Sequence, residues 1–517
     1  MAQESAATTV QHKQTQYAVT AQVTPSKIAI IGTFDPLKTT LPTEEEIQVF
    51  SPEDVGDKAG FGFMAHRLAL ASFRGANSSL PTFMVFQDEA VAAVAAAGTT
   101  TFSGTTTAAG TVHQYIGDIY IPVTIPSGST AAEVATAVVA AVEAQLDAVG
   151  VPVDSAVDGV VPEEIDWTAK TKGPWGNGIV IDYNLGAGQE FPPNLDAVVV
   201  DMAGGTGVPD ISTALDALGT GDNQNSNGYT ELIHGYGIDT ATLDAISQYN
   251  GEGSEAVGNY AKTVHRPFVG SLKGDTAAGS AGLTAVIALG DGRKALDRTN
   301  GIISCPGSPN HPDEIGAYVQ SKIALKGNER ATASTIDMEL PWIIPGAQAD
   351  RWTDQKTNRD LAVQAGVSPS QYKGGVMVAL NLMTFYHPAN IPYTSNSYKD
   401  MRSIRIIRNQ LEALFALLNG PAYNDRTIVE DITKTTETTA IDVNEVRGDL
   451  IALAYEMERL AWIYEAAFTV ERLKDDNAVL LKVDISGFDI TFPTIISGEL
   501  RNTDTILETD VSIAVLR

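Results

Sequence analysis

Two hydrophobic periods organise this chain. In SIRIIRNQLEALFALLNGP, residues 403–421, Ile404, Ile407, Leu411, Leu414, Phe415 and Leu418 recur at the i, i+3, i+4 spacing of a helix with one apolar stripe. Asn419-Gly420-Pro421 closes it. Arg402, Arg405 and Arg408 fall on the other side, which predicts an outward basic strip. VNEVRGDLIALAYEMERLAWIYEAA repeats the spacing with Val446, Leu450, Leu453, Met457, Leu460 and Tyr464, and FTVERL and AVLLKVDISGFDITF follow it. Near either end the period falls to two. Leu507, Thr509, Val511, Ile513 and Val515 alternate with polar positions, and Tyr17, Val19, Ala21 and Val23 alternate before a break at Pro25. Both segments are predicted to be strand-capable arms. Each could pair within its own domain or add to a neighbour's sheet.

Between these ends the pattern changes several times. Residues 35–87 are mixed, with a helix expected in GFMAHRLALASFRG, where His66 reads as a packing residue, and a strand in PTFMVFQ. From 88 to 205 Ala, Thr, Gly and Val dominate. There TVHQYIGDIYIPVTI predicts a hairpin about Gly117-Asp118, and Thr130 to Glu133 has the spacing of a capping box before a helix running to Leu146. Gly-rich segments lead out of and back into this region, which reads as an insert. From 206 to about 330 helical and extended segments alternate, as in an α/β layer. Residues 331–400 read as loops and short strands.

Composition narrows the class. At 517 residues, 44% hydrophobic and 19% charged, the chain is globular and of about three domains. The 34 Lys and Arg against 63 Asp and Glu give a net charge of -29, a surface that repels phosphate backbones and argues against nucleic-acid binding. There is no apolar run of transmembrane length, and the first residues lack a secretory pattern, so a soluble species without membrane contact is expected. The single cysteine, Cys305, reads as a small buried residue.

Catalytic motifs are missing. The sequence has no GxxxxGK[ST], HExxH, GxSxG or CxxC, and the glycines at 204–207 and 290–293 lack the lysine and context of a phosphate loop. His311, Asp313 and Glu314 read as an acidic helix start rather than a metal cluster. The enzymatic alternative is a hydrolase using Ser304 or Ser308 with His311, set against a plain turn in SCPGSPNHP. A shell or adhesin-type structural protein is a further alternative. No catalytic residue, cofactor or metal is expected.

The order of features resembles the contractile tail sheath proteins of Mu-like bacteriophages. It is carried by the arm leading to IAIIGTF, by GTVHQYIGDIYIPVTIPSGSTAAEVATAV and AKTKGPWGNGIVIDY, by MAGGTGVPDISTALDAL, by RSIRIIRNQLEALF and FTVERLKDDNAVLLKVDISGFDITF, and by the final strand. The resemblance implies a non-enzymatic virion subunit assembled in the host cytoplasm. It would stack as six-membered rings around a tail tube and contract to drive the tube through the host envelope. Its partners would be itself, the tube protein, and baseplate and tail terminator proteins. Its arms, with Tyr17, Val19, Ala21, Val23, Leu507, Thr509, Val511, Ile513 and Val515, would exchange strands with neighbours, and Arg402, Arg405 and Arg408 would face the tube. The fold class expected is mixed α/β and multidomain: an α/β core built from both chain ends, a β-rich outer insert and strand-exchanging arms. The expected division is an N-terminal arm 1–24, a middle α/β domain 25–87 and 206–379, the insert 88–205, a tube-proximal domain 380–505 and a C-terminal arm 506–517.

Overall fold

The computed structural model describes residues 21, 23–145, 149–220, 225, 227–251, 269–294, 297–387, 398–420, 423, 426–482 and 487–498. IAIIGT forms β1 (Ile28–Thr33), in which every residue is buried. A strand apolar on both faces needs cover on both faces, the condition met by parallel sheets between helices. β2 (Glu46–Val49), α1 (Pro52–Ala59), α2 (Met64–Gly75) and β3 (Thr82–Gln87) follow. β3 lies parallel to β1 with Ile28 opposite Thr82, and β2 closes that edge antiparallel to β3. His66 is buried in α2, and its Nδ1 accepts the Gly62 amide at 3.2 Å.

The chain then leaves this sheet. β4 (Ala95–Gly104), β5 (Gly110–Ile116), β6 (Ile119–Ile125), α3 (Ala131–Glu143), β7 (Val153–Val157), β8 (Glu164–Lys172), β9 (Ile181–Tyr183) and β10 (Leu195–Ala203) form two further sheets, β10-β4-β8-β7 and β6-β5-β9. β6 alternates strictly, burying Ile119, Ile121, Val123 and Ile125 and exposing the residues between. The hairpin turns at Gly117, whose φ of 61° suits a residue without a Cβ. α3 carries the capping box, Thr130 accepting the Glu133 amide while Glu133 accepts from the Thr130 amide. Where the chain departs and returns, Val94 and Thr206 exchange amide hydrogen bonds of 2.9 and 3.1 Å.

Beyond it the layer resumes with α4 (Ile211–Ala217), β11 (Glu231–His234), α5 (Thr240–Asn250), β12 (Ser271–Asp275), α6 (Gly279–Arg293), β13 (Asn300–Ser304) and α7 (Pro312–Glu329). Then come β14 (Met338–Leu340), α8 (Asp360–Gln364), β15 (Ser368–Lys373) and β16 (Val376–Ala379). β11 pairs parallel to the free side of β1, and a parallel bridge from Glu231 to Gly270 carries the sheet on towards β12. The four-stranded sheet β2-β3-β1-β11 and the five-stranded sheet β12-β13-β15-β16-β14 are joined by that bridge. The chain steps one way from β1 to β3 and the other way from β11 onward, so strand order reverses beside β1.

The last part is smaller: α9 (Met401–Leu418), β17 (Thr427–Ile428), β18 (Ala440–Ile441), α10 (Val443–Arg459), α11 (Ala466–Leu473), β19 (Val479–Leu481) and β20 (Phe488–Ile490). Its cores are separate from the main one. Ile406, Leu453, Met457 and Trp462 form one, and Ile441, Val446, Leu450 and Leu473 another. The second predicted helix breaks at Arg459. Ala461 adopts φ 57°, which turns Trp462 inward to 1% exposure and leaves Tyr464 at 71%, outside the stripe expected for it. Burying an indole outweighs continuing the helix. FTVERL belongs to α11. Among the described residues no helix is long and apolar enough to cross a membrane.

Candidate functional site

The basic strip on α9 does not face outward. Arg402, Arg405 and Arg408 are 6%, 4% and 3% exposed, while Ile407, Leu411, Leu414, Phe415 and Leu418 of the apolar stripe are only half-buried. The helix is covered on its polar side by the rest of the chain. Arg402 donates from Nε to Thr332 O at 3.1 Å and from Nη1 to Ser497 O at 2.7 Å. Arg405 donates to Ile323 O at 2.9 Å and Ala333 O at 2.7 Å. Arg408 pairs with Glu231 at 3.1 Å, on the first residue of β11, and Glu231 also accepts from Gln320 of α7. Burial pushes the Glu231 carboxyl upward and the Arg408 guanidinium opposes it. A guanidinium presents a fork of donors, so it can be buried against carbonyls that an ammonium would satisfy poorly.

The same face holds two distant segments of the chain. Asn409 Oδ1 accepts the Thr24 amide at 2.6 Å, and the Ser26 amide donates to Asn328 Oδ1 at 2.6 Å on α7. Gln410 donates to Trp462 O at 3.1 Å and accepts from Thr494 Oγ1 at 3.2 Å. With Arg402 on Ser497, α9 therefore holds both Thr24 and residues 494–497, while Ser26 is held by α7. The second of these is held further by the Tyr464 amide on Ile495 O at 2.7 Å and Thr469 Oγ1 on Pro493 O at 2.8 Å. Of the predicted arm residues, Ala21 and Val23 are half-buried against the cluster of Ile406, Leu453 and Trp462. Tyr17, Val19, Leu507, Thr509, Val511, Ile513 and Val515 lie outside the described residues.

A second polar constellation joins the inserted sheets to the α/β layer. Asp118, at the tip of the β5–β6 hairpin, receives Arg67 of α2, Arg74 at 3.3 Å and Trp342 Nε1 at 2.9 Å. Arg67, 2% exposed, also grips Glu314 of α7 through Nε at 2.7 Å and Nη2 at 2.6 Å. Burial works to raise the Asp118 carboxyl, and the Arg67 guanidinium more than offsets it, so the carboxyl is held below its usual range. Thr171 Oγ1 accepts the Met64 amide at 2.9 Å, and Lys170 reaches Phe61 O at 3.2 Å. Sequence reasoning placed the hairpin and missed what its tip meets. The available signal was an Asp in a turn between two buried-type strands, in a chain with few arginines to pair it.

The residues considered for catalysis are otherwise engaged. His311 caps α7: Nδ1 accepts the Asp313 amide at 3.1 Å and Nε2 donates to Trp175 O at 2.8 Å, with its ring stacked on the Trp175 indole at 4.4 Å. Burial lowers its pKa to about 4. Ser304 donates to Asp275 at 3.0 Å and Ser308 to Ile344 O at 2.7 Å, so neither hydroxyl meets the imidazole. Asp313 pairs with the buried Lys273 at 2.6 Å, and Glu314 is taken by Arg67. Both carboxylates lie in the first turn of α7, an acidic helix start, and both are partners of buried cations. Cys305 is buried and its thiol is pushed up to about 12. Among the described residues no group of three or more His, Cys, Asp or Glu is placed to hold a metal ion.

No family model matches the chain. A stretch of 148 residues is 34% identical to the Mu-like prophage FluMu tail sheath protein of Haemophilus influenzae, and it takes in 29% of this chain and 29% of that protein. Two solved sheath tail proteins align over most of their length at low identity. That of Desulfitobacterium hafniense gives a TM-score of 0.42 at 11% identity, over 90% of this chain and 91% of that one. That of Listeria innocua gives 0.38 at 10% identity, over 92% of each.

Proposed function

We propose that the protein is a structural subunit of a bacteriophage contractile tail sheath. The observation that carries this reading is the 34% identity over 148 residues to a prophage tail sheath protein. The attachment of both Thr24 and residues 494–497 to α9 supports it, because segments held on one helix can lead to strands lent to neighbours. In this proposal subunits stack as six-membered rings around a tail tube in the virion, after assembly in the host cytoplasm, and contract on a signal from the baseplate. The partners are further copies, tube protein, baseplate and tail terminator. Residues 1–24 and 506–517 are the exchanging arms, with Tyr17, Val19, Ala21 and Val23 in one and Leu507, Thr509, Val511, Ile513 and Val515 in the other. Residues 25–87 with 206–379 form the middle domain, 88–205 the outer insert and 380–505 the domain nearest the tube. No catalytic role is proposed.

Each backbone hydrogen bond in such an arm contributes a net ~0.5–1.5 kcal/mol, so a short strand gives several kcal/mol before its ordering cost. Repetition over many subunits makes the array persist while side-chain interfaces rearrange. Deleting residues 506–517 is expected to leave a folded chain that no longer polymerises, read by circular dichroism and negative-stain electron microscopy. Tubes formed as readily by the truncated chain would refute arm exchange. Full-length protein that forms closed shells, or stays monomeric at all concentrations, would refute the sheath reading itself.

A further inference from the structure

Charge is unevenly shared along this chain. No Lys or Arg occurs between Arg74 and Lys170, a stretch that takes in most of the inserted sheets. Within it the β7–β8 hairpin carries Asp154, Asp158, Glu163, Glu164 and Asp166. Asp154 is paired opposite Thr168 and Asp166 opposite Ala156, so with Glu164 they lie on the face turned away from the buried Val153, Ile165 and Trp167. Glu164 takes a neutral donor, Thr101 Oγ1 at 2.9 Å. Among the described residues none of these five carboxylates forms an ion pair, and the Asp166 carboxyl is pushed up by burial and then by Asp158 and Glu164. Between the strands Val160 stands 87% exposed.

The opposite sign gathers in a groove of about 520 Å³ between the end of α2, α7 and the turn at Pro341 and Trp342. Arg74, Lys322 and Lys326 line it together with Tyr318, Leu325 and Trp342. Arg74 lies over the Trp342 ring at 5.1 Å and is shared with Asp118 at 3.3 Å. Among the described residues neither lysine forms an ion pair. Lys322 donates to Tyr318 Oη at 3.5 Å and Lys326 to Ser334 O at 3.3 Å. Burial lowers the Lys322 ammonium, and Lys326 lowers it more than Glu339 raises it. Glu329 also lines the groove. Like charges one helical turn apart destabilise a helix, and an acidic occupant would relieve that repulsion. We propose that the groove docks the β7–β8 hairpin of a second copy, with Val160 on Leu325 and Trp342 and the hairpin's carboxylates on Lys322 and Lys326. Groove and hairpin are different surfaces, so the contact is head-to-tail and repeats from copy to copy as a ring or a helix. It rests on the self-assembly in the sheath reading and names one of its interfaces.

The test measures the critical concentration for polymer formation by full-length chain, using light scattering with negative-stain images. Lys322→Glu with Lys326→Glu reverses the groove, and Asp154→Lys with Asp166→Lys reverses the hairpin. Each pair should raise the critical concentration about tenfold or more, since like charges then face each other across the contact. An equimolar mixture of the two variants should polymerise near the wild-type concentration, because each hairpin then meets a groove of opposite sign on the other variant. Val160→Ser, at a position too exposed to affect folding, should raise the value severalfold, and added salt should raise it for the wild type. Critical concentrations unchanged in both reversed variants, or a mixture no better than either alone, overturn the proposal and leave the sheath reading standing. A groove reversal that weakens assembly while the hairpin reversal does not assigns the groove to another acidic partner, and this too overturns it. Wild-type chain that stays monomeric at all concentrations overturns both. If circular dichroism shows that a reversed variant is unfolded, Val160→Ser and the salt series decide, and a value unmoved by either overturns the proposal.

Discussion

His311 shows how much one side chain can be asked to do without chemistry. Its neutral form is required, because Nδ1 must accept from the Asp313 amide while Nε2 donates to Trp175 O. Protonation would put a second hydrogen on the ring and lose the cap. Burial lowers both His311 and His66 to about 4, whereas in the unfolded chain each titrates near the ordinary histidine value of 6.5. Between those values the unfolded state binds more protons, so stability falls as the pH is lowered from about 6.5 to about 4. The slope is about 1.4 kcal/mol per pH unit for each histidine. His311→Asn retains a capping oxygen and does not titrate, so unfolding free energies measured from pH 4 to 7 should show a shallower slope for the variant. An identical slope would mean that His311 takes up its proton in the folded state at the same pH as in the unfolded chain. The burial of His66 and Cys305 was legible from their apolar neighbours. The burial of three arginines was not, since periodicity locates the apolar stripe of a helix and says nothing about what covers its other side.

α9 is the element where that distinction matters most. Its existence and its end at Asn419-Gly420 follow from the sequence, but its half-buried stripe and buried polar face reverse the usual arrangement. Contacts 52 to 385 residues away in the chain account for this, among them Thr24, Glu231, Thr332, Trp462 and Ser497. Asn409→Ala and Gln410→Ala should each cost about 1–3 kcal/mol, since each removes two hydrogen bonds. Limited proteolysis should find faster cleavage near residues 24 and 494 with the α/β layer unaffected. Arg408→Leu is expected to be far worse, about 3–5 kcal/mol by chemical denaturation, because Glu231 would lose the cation beside it. If all three variants cost the same, the ion pair has no special standing. α10 makes the complementary point: its apolar spacing continued past Arg459, yet the demand to bury Trp462 ended the helix.

For the whole molecule, composition suggested an insert and the alternation of helices and strands an α/β layer, and β4 to β10 pair in sheets separate from that of β1 and β3. Neither revealed how firmly the two are joined. Arg67, Met64, Phe61 and His311 all bond across that junction. Replacing residues 88–205 by a short Gly/Ser linker should therefore leave a chain that folds, since Arg67 keeps Glu314, but that melts below the full-length protein. A random-coil circular-dichroism spectrum would show that the inserted sheets are needed for the rest to fold. The convergence on α9 has a mechanical meaning at this scale. A pull on the segment before Thr24 and a pull on the segment after Ser497 both reach residues 402–410, about two helical turns, through Asn409 and Arg402. Under the proposed arm exchange, tension between neighbours would load this short helix together with β1 and α7, which take up the chain just after Thr24.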